Sequence, residues 1–248
     1  MHPKERTAKK ARYDTIYRTL REHIEDGTYP YQSLLPSESA LTQAFSCSHN
    51  TLRRALALLK EKGYVQPVHG KGVRVIWQAR ERATFEVGGI QSFRETSAHN
   101  RLHARTEVTD FSALVADGAL AHRTGHPEGT ELVTVERKRI LDGRPLILDR
   151  SYFLASSVEG LTPKIAEDSI YAFLEDERGL TVATSKRTIT VERATDHDRD
   201  MLDLGGADYV AVMTSQTFDG QGIMFEYTES RHHPEMFCFH DTAVRSAV

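Results

Sequence analysis

The sequence lacks any apolar run near the ~20 residues that a membrane-spanning helix requires. Its opening, MHPKERTAKKAR, is polar and basic and has no apolar stretch of the kind a signal peptide carries. A cytoplasmic protein with no membrane partner is therefore expected. Cysteine is scarce: Cys47 and Cys238 stand far apart in the chain, which excludes a disulfide framework and a CxxC zinc or redox motif. There is one tryptophan, Trp77. Neither GxSxG nor HExxH nor a phosphate-cradling GxxxxGK[ST] occurs, and the carboxylates show no acid–base pairing. No cofactor and no catalytic residue are expected, and a non-enzyme is the preferred reading.

What is present is an uneven charge. Residues 1–78 hold 13 Lys+Arg against 7 Asp+Glu, a net +6, while the remainder holds 19 against 28, a net −9. A basic module that seeks polyanions is thus joined to an acidic one. The 248 residues suit two domains, each able to bury its own core. The expected division is a basic tail over 1–11 within a first domain 1–77, a linker 78–84, and a second domain 85–248.

In the first domain, Ile16, Leu20 and Ile24 recur at helical spacing between Tyr13 and Asp26, and Gly27 stops that helix. Ser37 can cap a short second helix that turns Leu41, Ala44 and Phe45 inward. After a turn at Ser46 and Cys47, Ser48 caps a third helix whose buried stripe is Leu52, Ala55, Leu56 and Leu59; His49, Asn50, Arg53 and Arg54 lie off that stripe. Two short β-prone runs, Tyr64 to Val68 and Val73 to Trp77, flank the tip His69-Gly70-Lys71-Gly72. A helix, a helix-turn-helix and a hairpin describe a winged helix-turn-helix whose third helix enters the major groove of DNA. A purely structural bundle would show the same pattern; the excess of positive charge favours DNA.

From about Thr84 longer strands mix with helices, an α+β pattern. Glu131 to Leu141 and Pro145 to Phe153 flank Asp142-Gly143, a hairpin signal. Alternation puts Val133, Val135, Arg137 and Arg139 on one face, so two arginines continue an apolar side and call for an anion. A solvated sheet edge would accommodate them equally. Ser169 to Arg178 reads as a helix capped by Asp168 or Ser169 and stopped by Gly179, and its N-terminus can serve a phosphate or simply an ordinary cap. Further strands are expected at Val182 to Glu192, Tyr209 to Phe218 and Ile223 to His232, with a short helix at His197 to Leu202. His232, His233, Cys238 and His240 crowd together, but their spacing matches no standard metal site, and no metal is expected.

The segments LLPSESALTQAF, SHNTLRRALALLKEKGYV and VHGKGVRV resemble the DNA-binding domain of the GntR family over most of residues 12–77. GIQSFRE, ERKRILDGRPLILDRSYF, DSIYAFLEDERGL and MFEYTESRH resemble the HutC subfamily, whose UTRA ligand domain has a chorismate-lyase-like α+β fold around an antiparallel sheet. Within it, TITVERATDHDRDMLDL and FEYTESRHHPEMFCF are similar to trehalose operon repressors. The resemblance implies a homodimeric repressor that binds a palindromic operator on double-stranded DNA and responds to a sugar phosphate, trehalose 6-phosphate; other members of the subfamily sense other sugar phosphates or amino acid derivatives. It implies DNA contacts from Ser37, Ser48, Asn50, Thr51, Arg53, His69, Gly70 and Lys71; His49 and Arg54, off the buried stripe of the third helix, and Gly72 at the hairpin tip are expected to join them. It places Ser92, Arg137, Arg139, Ser169 and Tyr171 around the effector phosphate, and Asp149, Glu226 and His232 on sugar hydroxyls. Ser39 and His49 depart from the arginine that many family members carry there, which implies a different operator sequence or weaker contacts.

Overall fold

The computed structural model describes residues 3–78 and 103–239, which fall in two compact units. The first unit contains α1 (Pro3–Glu25), α2 (Glu38–Ala44), α3 (His49–Glu61) and an antiparallel hairpin of β1 (Val65–Val68) and β2 (Gly72–Val75). The segment expected as a basic tail is helical from Pro3: proline suits a first helical position, and Glu, Lys, Arg and Ala that follow are good helix formers. Ile16, Leu20 and Ile24 of α1 bury against Leu41, Leu52, Ala55, Leu59, Val65 and Val75 in one core. Ser46 turns the chain between α2 and α3 with a positive φ of 47°. Tyr64 and Trp77 stack at 6.0 Å beside the hairpin.

The second unit is built on a six-stranded antiparallel sheet of order β3-β4-β5-β8-β7-β6. Its elements are β3 (Ala104–Val115), α4 (Gly118–Thr124), β4 (Glu131–Leu141), β5 (Arg144–Leu154), α5 (Pro163–Asp168), α6 (Ile170–Ala172), β6 (Val182–Arg193), α7 (Asp196–Met201), β7 (Tyr209–Asp219) and β8 (Met224–His232). The β4–β5 hairpin turns on Asp142 and Gly143, both at positive φ (47° and 83°), the conformation that a two-residue primed turn requires. The helix expected from Ser169 to Arg178 is instead one α turn, α6, followed by a π-helical turn over Phe173–Glu177. Ile170, Phe173 and Leu174 point inward in either geometry, which is why apolar spacing does not separate the two. Of the two cap candidates Ser169 is the one used, accepting from the Ala172 amide, while Asp168 ends α5.

One sheet face packs Val135 and Phe153 against Ile170, Phe173 and Leu174; the other packs Leu148, Val210 and Val212 against Leu202 and Leu204, and Tyr152 and Tyr227 against Ala116 and Leu132. The first of these faces changes character along β4, β5 and β8 from apolar to polar, and that polar stretch is the candidate ligand site.

Candidate DNA-binding and effector sites

In the first unit the caps come from local chemistry: Ser37 Oγ accepts from the Ala40 amide at 3.2 Å and Ser48 Oγ from the Thr51 amide at 3.3 Å. Each satisfies an amide at a helix start and fixes where α2 and α3 begin. Ser48 Oγ also lies 2.9 Å from the Thr51 hydroxyl. His49, Asn50 and Arg53 are exposed on α3. Arg53 Nε donates to Glu38 Oε2 at 3.0 Å, and His49 Nδ1 lies 3.7 Å from the same oxygen. Glu38 therefore gathers the polar face of α3 onto the start of α2, a partnership that the sequence did not disclose. Such an exposed pair is worth about 0.2–1 kcal/mol, less than the roughly 1–3 kcal/mol of a bidentate arginine–guanine contact, so Arg53 can exchange one for the other. Arg54 stacks its guanidinium 4.5 Å from the Tyr13 ring centre and braces α3 on α1. At the hairpin tip His69, Gly70, Lys71 and Gly72 are all exposed. Gly70 and Gly72 have φ of 69° and 106°, a backbone that a larger residue would strain.

In the second unit, strand register assembles the effector candidates. Arg137 pairs with Asp149, which pairs with Ser230; Arg139 pairs with Ile147, which pairs with His232. Paired residues in a sheet share a face, so β4, β5 and β8 contribute to one surface. Both arginines are buried, at 7% and 4% exposure, on a strand with neighbours on both sides, which rules out the solvated edge. Arg139 Nε donates to Asp149 Oδ2 at 2.8 Å and its Nη1 to the Thr106 hydroxyl at 2.7 Å. The Ser230 hydroxyl donates to the other Asp149 oxygen. The Tyr171 phenol donates to Glu226 Oε2 at 2.6 Å, and Thr228 donates to Glu226 Oε1 at 2.7 Å.

Arg137 is held differently. Its Nη2 donates to the Ser151 hydroxyl at 3.3 Å, its Nε has no hydrogen-bond partner, and among the described residues no carboxylate lies within salt-bridge reach of it. Burial, with the like charge of Arg139, lowers its pKa to about 10 against the opposing pull of Asp149, Glu226 and Tyr171. A buried cation without a paired anion is costly, and an unfilled donor on it adds to that cost. Burial alone would raise the Asp149 carboxyl, but Arg139, Arg137 and the bonds from Ser230 and Arg139 hold it below the usual carboxylate range. Burial and the charge of Glu226 keep the Tyr171 phenol well above its ordinary value, so it stays a donor. Burial brings His232 down to about 4 despite the neighbouring Asp149, leaving a neutral imidazole at neutral pH, packed 5.0 Å from the Phe237 ring.

The structure thus brings together Arg137, Arg139, Asp149, Tyr171, Glu226 and His232; Ser169 is buried and caps the turn that carries Tyr171, and Ser92 lies outside the described residues. Sequence reasoning passed over Thr106, Ser151, Thr228 and Ser230. Alternation along the strands carried the signal for the last three, since Ser151 is two residues from Asp149 and Thr228 and Ser230 follow Glu226 in steps of two. His233 is buried and its Nδ1 accepts from the Glu235 amide at 3.2 Å; among the described residues no group of three or more His, Cys, Asp or Glu is arranged to hold a metal, and His240 lies outside them. No helix among the described residues is long and apolar enough to cross a membrane.

Comparison with known proteins places this geometry. Residues 12–75 match the model for bacterial regulatory proteins of the gntR family, and residues 99–237 match the UTRA domain. The HTH-type transcriptional regulator TreR of Bacillus subtilis strain 168 is 36% identical over 234 residues, spanning 94% of this chain and 98% of that one. The mannosyl-D-glycerate transport/metabolism system repressor MngR of Escherichia coli K12 is 25% identical over 227 residues, 92% of this chain and 93% of that one. Among solved structures, the effector binding domain of the B. subtilis trehalose repressor TreR superposes with a TM-score of 0.53 at 35% identity, covering 58% of this chain and 99% of its own. The possible transcriptional regulator YydK of B. subtilis, at 21% identity, shares the fold over 94% of this chain and 99% of its own with a TM-score of 0.80. The chain belongs to the GntR family of bacterial regulatory proteins, of the HutC type with a UTRA domain, and is a transcription regulator rather than an enzyme.

Proposed function

We propose that the protein is a repressor that binds a palindromic operator as a homodimer and leaves it when trehalose 6-phosphate occupies the second unit. The observation that carries the reading is Arg137, a buried guanidinium with an unfilled donor and, among the described residues, no carboxylate within salt-bridge reach, beside Arg139 on the inner face of a sheet. A phosphate supplies the missing negative charge, and charge-assisted bonds from two arginines hold it. The Ser169 hydroxyl and the Tyr171 phenol stand on the turn above the same face and complete the phosphate set, with Ser92 as the expected fifth member. Asp149, Glu226 and neutral His232 offer acceptors to sugar hydroxyls without adding net positive charge. Kinship with a trehalose repressor at 36% identity supports trehalose as the sugar.

In the DNA-binding unit, α3 presents Asn50 and Arg53 to base edges, while Ser37, Ser48, Thr51 and the hairpin tip position the backbone. The homodimer is held by its second units and matches a two-fold operator. Effector favours the state that does not fit the operator; by linkage, operator weakens effector binding by the same factor.

A thermal-shift series in phosphate-free buffer, followed by operator binding with and without ligand, tests this reading. Trehalose 6-phosphate is expected to raise the melting temperature and release operator while trehalose does neither. Arg139→Ala is expected to keep operator affinity and lose the release. Stabilisation by a different sugar phosphate alone would retain the regulator and replace the sugar; release of the Arg139→Ala protein by effector would remove Arg139 from the site.

A further inference from the structure

The polar face does not end at Glu226. In register, Ser151 of β5 pairs with Thr228 of β8, Thr228 with Ser215 of β7, and Ser215 with Arg187 of the edge strand β6. Glu226 pairs with buried Thr217, and Thr217 with Ser185, whose hydroxyls lie 3.5 Å apart. Paired positions share a face, so Ser215 and Arg187 extend the same surface that bears Arg137, Asp149 and Glu226. Arg187 is half-buried although it stands on the outermost strand. Burial lowers its pKa while the charges of Tyr171 and Glu226 raise it, which places its guanidinium in their field.

Distance across the sheet gives this extension a meaning. Strands lie about 4.8 Å apart, so a phosphate on Arg137 of β4 stands roughly 10 Å from β8 and roughly 19 Å from β6. One hexose ring carried on that phosphate extends as far as Glu226 of β8. Side chains that rise from β7 and β6 stand on the side of Glu226 away from Arg137, where a second ring would lie.

We propose that Arg187, with Ser215, forms a distal subsite that binds the unphosphorylated ring of a disaccharide phosphate and so sets the length of ligand the site accepts. The inference rests on the sugar-phosphate reading given above and adds the determinant of size to it. An arginine at this place offers donors to the vicinal hydroxyls of the distal ring.

The test compares trehalose 6-phosphate with glucose 6-phosphate, which keeps the phosphate and one ring, on the full-length wild type and Arg187→Gln, by competition titration that reads weak ligands. Melting without ligand checks that the variant is folded. Arg187→Gln is expected to weaken trehalose 6-phosphate about ten- to hundredfold, the value of hydrogen bonds to a charged group, and to leave glucose 6-phosphate unchanged. Equal weakening of both ligands would mean that Arg187 supports the phosphate end or the fold, and no weakening of either would mean that it touches no sugar; each overturns the subsite. A wild type that binds neither sugar phosphate would instead refute the effector reading, and the two failures are told apart by the wild-type titration alone.

Discussion

Arg137→Met should make the ligand-free protein more stable and at the same time deaf to its effector. In the folded chain the guanidinium of Arg137 is held at a pKa of about 10, some two and a half units below its ordinary value, chiefly by burial. At about 1.4 kcal/mol per unit, that displacement corresponds to roughly 3 kcal/mol by which the folded state disfavours the charge. Methionine keeps much of the apolar stem and removes the cation, giving up the 3.3 Å bond to Ser151. Exchanging buried charge for an apolar side chain of similar size is neutral or stabilising by about 1–4 kcal/mol, so a gain of about 2 kcal/mol is expected, roughly 5 °C in melting temperature for a unit of this size. Calorimetry or thermal shift must be run without phosphate or sulfate, since either anion would fill the site in the wild type. Trehalose 6-phosphate should then raise the wild-type melting temperature and leave that of Arg137→Met unmoved. A variant less stable than wild type without ligand would show that Arg137 is already compensated in the free protein, and a preserved ligand shift would show that the anion binds elsewhere. Either result refutes the argument.

Arg53→Ala removes a base-reading candidate whose only cost to the free protein is the exposed Glu38 pair, so stability should change by less than about 1 kcal/mol while operator affinity falls about tenfold or more; unchanged affinity in a gel-shift titration would exclude it from the interface. Arg231→Met strips fully buried Asp198 of its cation while leaving the bonds from Thr195, and chemical denaturation should report a loss of about 3 kcal/mol. His232 has a folded pKa of about 4 below its ordinary 6.5, so above 6.5 both folded and unfolded chains hold it neutral. As pH falls from 6.5 towards 4 only the unfolded chain gains the proton, and stability is lost across that window by up to about 3 kcal/mol. His232→Gln should remove that part of the pH profile, and a variant whose denaturation midpoint falls in parallel with wild type over that range would contradict it.

Several features were legible in the sequence because they are set by neighbours in the chain. Ser37 and Ser48 each accept from an amide three residues on, Asp142-Gly143 demands a primed turn, and the stripe Leu52, Ala55, Leu56 and Leu59 has the helical period. Alternation likewise put Arg137 and Arg139 beside Val135, before any partner strand was known. Charge counting separated a basic module from an acidic one, since electrostatics of that kind depend on composition alone. Local pattern was silent on β3, a strand at the sheet edge whose exposed polar residues and bulge between Val108 and Asp110 blur the period of two. It also failed at Phe173–Glu177, where α and π turns bury the same side chains.

Tertiary structure alone decided which strands meet. The chain order β4, β5, β6, β7, β8 becomes the sheet order β4-β5-β8-β7-β6, and this one crossover sets Glu226, Thr228 and Ser230 beside Asp149 and Ser151 and carries Arg187 to the far end of the same face. It also gave Arg139 a carboxylate and, among the described residues, Arg137 only a hydroxyl to bond to, a difference that two arginines separated by one residue could not show in sequence. Caps, turns and periodicities are fixed by interactions within a few residues and can be read from the chain; a ligand site is fixed by pairings across 77 and 81 residues, as between Ser151 and Thr228 or Asp149 and Ser230, and exists only once the sheet has closed.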